Sequence, residues 1–270
     1  MRKKLPTIIL VLVFVVGLSL LLYPSVSDYW NSLHQTRAIT TYSEDVAELD
    51  EETREALLDA AREYNRKLYE GGTHWILSDE ELEEYNRLLA SSDTGIMGYV
   101  NIPRISVTLP IYHGTGDAAL QRGAGHLEGS SLPVGGKNTH VVLSSHRGLV
   151  AAKLFTDLDQ MEAGDIFTIT VLGETLTYEV DQILTVLPTE MDALAIEEGQ
   201  DYCTLVTCTP YGVNTHRLLV RGRRIDTEDT AKVIVSGDAI QLESSVIAPL
   251  VAVPILLLLL LVLLFATRKR

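Results

Sequence analysis

Two stretches of the 270-residue chain are apolar without interruption: LPTIILVLVFVVGLSLLLY at 5–23 and VIAPLVAVPILLLLLLVLLFAT at 246–267. Neither holds a charge, and each is long enough to cross a hydrocarbon core, which takes about 20 helical residues. Between them the period of the pattern changes. Val46, Leu49, Thr53, Ala56, Leu57, Ala60 and Tyr64 recur at steps of three and four, predicting a helix over 43–72 that ends at Gly71-Gly72. THWIL (73–77) interrupts it. SDEELEEYNRLLASSDTG (78–95) predicts a second helix, opened by Ser78 and Glu81 in capping-box spacing. From Gly95 the runs are short and β-rich: GIMGYVNIPRISVTLPIYHG, THVVLSSH, DIFTITVLGETLTYEVDQILTVLP, YCTLVTCTP and THRLLVRGRRI, divided by Gly, Pro, Asn and Asp. VLGETL reads as a hairpin turn, and GLVAAKLFTDLDQM (148–161) as a helix or turn within this region. Strands without alternating long helices predict an all-β barrel or sandwich. Residues 229–245 read as a polar tether into the second apolar stretch.

Charge gives the ends a side. Arg2, Lys3 and Lys4 precede the first span, and Arg268, Lys269 and Arg270 follow the second. The excess of cations on cytoplasmic flanks puts both termini in the cytoplasm and the middle outside. The first span lies where a signal peptide would, but no small-x-small cleavage site follows it. YPSVSDYW follows instead, with aromatics at the level of an interfacial belt, so the span reads as an uncleaved anchor in the lipid bilayer. The region between the spans keeps 16 Lys+Arg against all 36 Asp+Glu, a net of −20. Such a balance excludes nucleic acid as a partner, because that binding is driven by neutralising phosphates.

An extracellular domain is free to form disulfides, yet the chain has only Cys203 and Cys208. In one extended strand they stand roughly 16 Å apart on opposite faces, beyond the reach of about 7 Å that a disulfide allows. Cys208 ends the β-branched run TLVTC just before a Pro-Tyr-Gly turn, at a strand rim. The residues alone leave two readings of it, an apolar filler or a thiolate nucleophile, which needs a base or cation close by. Among the seven histidines, His146 ends its own β-rich run at LSSHRG, and His140 lies six residues earlier on the same face. No H-x3-H or C-x2-C pair supports a metal site. Arg217, nine residues after Cys208, falls where the next strand returns past the cysteine; Arg221, Arg223 and Arg224 read as strand-edge charges. Cys208, His146 and Arg217 together would make an acyl-transfer site: nucleophile, proton donor and oxyanion partner. An acidic, membrane-tethered adhesion module fits the composition equally well.

NTHVVLSSHRG followed by TLVTCTPYGVNTHRLLVRG resembles the sortases, cysteine transpeptidases of Gram-positive cell surfaces. The resemblance runs from about Gly95 to Ile225. GIMGYVNIPRI, LPIYHGT, GAGHLEGSSLPVGG and AAKLFTDLD are similar to the class C, pilin-polymerising branch, which also carries a helical preface and a second span. The resemblance implies a mainly β fold: an eight-stranded barrel over 96–228, behind a helical lid segment (28–95) and a transmembrane anchor (1–27). The tether (229–245), a second transmembrane helix (246–267) and a basic tail (268–270) follow. It implies His146, Cys208 and Arg217 as catalytic residues, with neither metal nor cofactor. Cys208 would cleave an LPxTG-like sorting signal between Thr and Gly, and a pilin lysine would resolve the thioester. A sortase that attaches single surface proteins to peptidoglycan is the neighbouring alternative, and a non-catalytic surface module the remote one. The class C lid motif, Asp-Pro-aromatic, is not found ahead of the barrel. GGTHWILSDEE stands in that place, which makes His74 and Trp75 the lid candidates, with Trp75 either covering the cysteine or packing between the two helices.

Overall fold

The computed structural model describes residues 5–72, 75–90 and 95–226, with Val253, Pro254, Leu256 and Leu260 helical beyond them. The tether, most of the second apolar stretch, the basic tail and His74 lie outside the described residues. The described residues divide between two compact units. One runs to Ser32 and includes Val150–Ala152; the other takes Leu33–Leu149 and resumes at Lys153.

The first apolar stretch does not end where its hydrophobicity does. It continues as one helix, α1, over Leu5–Glu48, passing Pro24. Among the described residues it is the one helix long and apolar enough to cross a membrane. The helix expected over 43–72 is therefore split, and its first six residues belong to α1. The break falls at Leu49-Asp50 because Asp50 caps a new helix, α2 (Glu51–Gly71), its carboxylate accepting from Thr53 N at 2.7 Å. An Asp side chain that bonds a nearby backbone N–H ends one helix and starts the next.

The buried stripe of α2 is Leu58, Ala61, Asn65 and Leu68, one position round from the expected Leu57, Ala60 and Tyr64. Asn65 makes that face possible. Its amide donates to Leu132 O at 2.9 Å and accepts from Leu132 N at 2.7 Å, pairing as a strand would. A polar residue so satisfied can be buried, and an apolarity count passes over it. The third helix, α3, runs Asp79–Arg87 and stops short of the expected 95, with the Ser78/Glu81 box closed in both directions. Tyr85 fixes it: the buried hydroxyl donates toward His126 Nδ1 at 2.9 Å and accepts from Gly114 N at 3.0 Å.

The strands are β1 (Ile96–Ile102), β2 (Val107–His113), β3 (Ala124–His126), β4 (Thr139–Ser144), β5 (Ile166–Val171), β6 (Glu174–Val186), β7 (Asp201–Thr209) and β8 (His216–Ile225). They close a barrel in the order β1-β2-β3-β4-β7-β8-β6-β5. The β2·β3 and β4·β7 pairs are parallel and the rest antiparallel. The β5–β6 hairpin turns where VLGETL predicts, through Leu172 at φ 48° and Gly173 at φ 84°. Two consecutive positive φ values make the turn whose twist matches a right-handed ribbon. Residues 148–161 form turns and one short 3-10 piece at Leu158–Gln160, with no α-helix.

Inside the barrel Phe167 and Tyr178 stack at 5.5 Å. They press on Gly222 of β8, where a Cβ would meet the Phe167 ring at 2.6 Å.

Burial holds His126 neutral, its pKa pushed down to about 4 from 6.5 although Ser131 O accepts from the ring. Burial lowers His113 and His140 too, while it raises Asp201 and so offsets part of their effect. A depressed folded-state pKa leaves the unfolded chain binding more protons between pH 6.5 and 4. The His126 contribution is complete above about pH 6.5 and is lost as pH falls toward 4. Unfolding in urea at pH 4.5 is expected to take about 2–3 kcal/mol less free energy than at pH 7. A midpoint that does not move over this range contradicts the neutral, buried His126.

Candidate functional site

Alternation along β7 sends Cys203, Leu205 and Thr207 to one face and Thr204, Val206 and Cys208 to the other. Cys203, wholly buried, is inner packing; burial raises its thiol pKa well above the ordinary range. Cys208 is half-buried on the outer face, one residue before the strand ends, and both thiols are free.

Two neighbouring strands flank it. In the antiparallel β7·β8 ladder Arg217 lies directly opposite Cys208. In the parallel β4·β7 ladder the last pair is Ser144 with Val206, and Ser145 N still donates to Val206 O at 3.1 Å. Thr207 Oγ1 donates to Ser145 O at 2.8 Å. His146 and Cys208 each follow the last paired residues, Ser144 and Val206, by two positions. A half-buried thiol thus stands with a guanidinium opposite it on β8, a strand about 4.8 Å away, while the imidazole belongs to the segment that leaves β4 on its other flank. Arg217 Nη1 donates to His216 O at 3.1 Å and Asn214 O at 3.3 Å, which holds its fork at the mouth of the β7–β8 loop. Three such groups on one rim can attack a carbonyl, stabilise the charge that develops and protonate the leaving group.

The same outer face is apolar below them. Val142, Val206, Leu219 and Leu194 form one buried cluster, with Leu184, Val186 and Trp75 packed against it. Leu194 comes from the 3-10 turn Asp192–Leu194 in the β6–β7 connection. Of the two readings of Trp75, the contact found is with the barrel. His140 lies on this face as well and is spent structurally: Nε2 is 2.7 Å from Thr204 Oγ1 and Nδ1 2.8 Å from Ala195 O. Among the described residues no group of three His, Cys, Asp or Glu is placed to hold a metal ion.

Arg147 was passed over in the sequence, where its only signal is adjacency to His146. Its side chain is 8% exposed, pairs with Asp159, and donates from Nη1 to Thr209 Oγ1 at 3.3 Å.

The sortase domain model matches residues 100–225. The chain is similar to sortase C1 of Streptococcus agalactiae, at 52% identity over 70% of this chain and 98% of that one, with a TM-score of 0.69. Sortase C of Clostridium perfringens, solved with the C-terminal cell wall sorting motif, is 44% identical over 71% of this chain and 99% of that one, with a TM-score of 0.63. Among curated proteins, sortase A of Streptococcus agalactiae serotype III (strain NEM316) is 30% identical over 122 residues, 44% of this chain. The match spans about half that relative's length, 49%.

Proposed function

The chain belongs to the sortase family of cysteine transpeptidases, and from that premise we propose that it is a membrane-anchored class C enzyme joining pilin subunits. Cys208 Sγ attacks the Thr carbonyl carbon of an LPxTG-like sorting signal. The negative charge on the carbonyl oxygen is met by Arg217, and His146 delivers a proton to the Gly amine as the C–N bond breaks. The Thr acyl group is left as a thioester on Cys208. A lysine amine of the next pilin then attacks, His146 takes its proton, and Cys208 leaves as the isopeptide bond forms. The balance is one amide broken and one made, so no cofactor enters.

What supports this reading most is register: Arg217 lies opposite Cys208 across β7·β8, and β4 runs parallel to β7 up to Ser144 and Val206, two residues short of His146 and Cys208. The basic residues beyond both apolar stretches support a two-pass topology with the barrel outside, where secreted substrates emerge with their own anchors. The full chain in detergent micelles, mixed with a pilin bearing its sorting signal, should give boiling-resistant ladders. Single conjugates to a peptidoglycan amine, without ladders, would assign it to single-protein anchoring instead.

Trp75 is the lid. It follows α2, held through Leu68, and precedes α3, held through Tyr85, and it packs against the apolar cluster of Val142, Leu194, Val206 and Leu219 on the Cys208 face of β7. Burying part of an indole there is worth about 1–2 kcal/mol. Trp75→Ala should therefore raise kcat/KM for a sorting peptide by about tenfold. An unchanged or lower value would make Trp75 packing only.

A further inference from the structure

Arg147 follows His146 in the segment that leaves β4, and its side chain turns toward the end of β7. There it reaches Thr209, the residue after Cys208. The guanidinium is braced by Asp159 and stands 5.9 Å from the Tyr211 ring in the β7–β8 loop. We propose that Arg147 is a positioning residue, holding His146 level with Cys208 from behind. The proposal rests on the roles given to His146 and Cys208 above.

The ladder explains why such a hold is needed. Paired residues of β4 and β7 end at Ser144 and Val206, and the ties at Ser145 come one step before the reacting pair. Past that point the ladder stops, and one chain enters the loop toward Phe155 while the other enters the turn at Pro210. Arg147 to Thr209 spans the gap one residue beyond the pair, so His146 and Cys208 are bracketed by a bond before and a bond after. Two further ties hold the first loop in place: Phe155 N donates to His146 O at 3.1 Å, and Gly148, at φ 80°, lies so near Tyr211 that a Cβ would come within 3.0 Å of the ring.

The cost of the arrangement points the same way. Arg147 Nε is buried with no hydrogen-bond partner among the described residues, and Asp159 across the ion pair is 48% exposed. A guanidinium sunk this deep with a donor unpaired is poor packing for its volume. It is also a rigid planar fork that can hold two loops at once, which a lysine cannot. A shift of about 1 Å between reacting groups costs about 100-fold in rate.

The test uses the full chain in detergent micelles, as Arg147→Ala, Arg147→Lys and Thr209→Val. Sorting-peptide cleavage gives kcat and KM; hydrogen exchange follows segments 143–149 and 206–212. Arg147→Ala should lower kcat about 30- to 100-fold with KM within about threefold. Arg147→Lys should recover only part, and Thr209→Val should lose about fivefold. Exchange should quicken in both segments and stay unchanged in β1 and β5. A raised KM with kcat intact, or a fallen kcat with exchange unchanged in both segments, overturns the proposal. If Arg147→Ala does not fold, Thr209→Val decides, since its site is half-exposed: unaltered kcat and exchange overturn it. A wild-type chain that never cleaves the peptide refutes the transpeptidase reading, while the exchange of the two segments still decides whether Arg147 holds them.

Discussion

Cys208→Ala is expected to abolish transfer, lowering sorting-peptide cleavage by at least about 10⁴-fold while the barrel stays folded. Both halves of this result follow from where the residue sits. The thiol is half-buried at the last turn outward of β7, so removing one sulfur atom leaves no interior cavity. Every step of the proposed chemistry passes through a bond to that sulfur, and no other outward thiol is present, since Cys203 is wholly buried on the opposite face. Cys203→Ala provides the contrast. It should lower stability by about 1 kcal/mol through a small cavity and leave turnover per folded molecule near wild type. Circular dichroism with single-turnover cleavage reads both. Cleavage that survives in Cys208→Ala would move the nucleophile elsewhere.

Arg217→Ala is expected to lower kcat by about 10²- to 10³-fold, with a smaller change in KM. Arg217 faces Cys208 across the β7·β8 ladder, and its contacts to the His216 and Asn214 carbonyls fix the fork before substrate arrives. A cation held in place costs no reorganisation when charge appears on the carbonyl oxygen, so its effect is largest in the transition state. Arg217→Lys keeps the charge but reaches those carbonyls with one rotatable ammonium, and should recover about tenfold at most. Equal losses in KM and none in kcat would make Arg217 a substrate-binding residue with no part in the chemical step.

Much of this site was legible because its signals are local. Ser78 and Glu81 announce the start of α3, Leu172-Gly173 turns the hairpin, and TLVTC with Arg217 nine residues on puts Cys208 and Arg217 opposite each other on adjoining strands. What was missed depends on partners far along the chain. The burial of Asn65 follows from the Leu132 backbone 67 residues away, so the exposed side of α2 could not be read from hydropathy. Strand β3 is three residues long and holds its place by parallel pairing with β2, which no alternation in AGH reveals. The break at Asp50 turned on a single capping carboxylate inside a continuous helical pattern. Nothing in the sequence around Arg147 points to its partners Thr209 and Asp159, which the fold brings to it from 62 and 12 residues away.

The central claim is that Cys208 carries the acyl group, and intact mass spectrometry tests it most directly. Full-length Trp75→Ala in detergent, incubated briefly with an LPxTG-like peptide and quenched in acid, should show one added mass equal to the peptide up to its Thr. Digestion should map that mass to the fragment holding Cys208, and Cys208→Ala should show none. No adduct on Cys208 across several sorting peptides, or the same adduct in Cys208→Ala, would contradict the account.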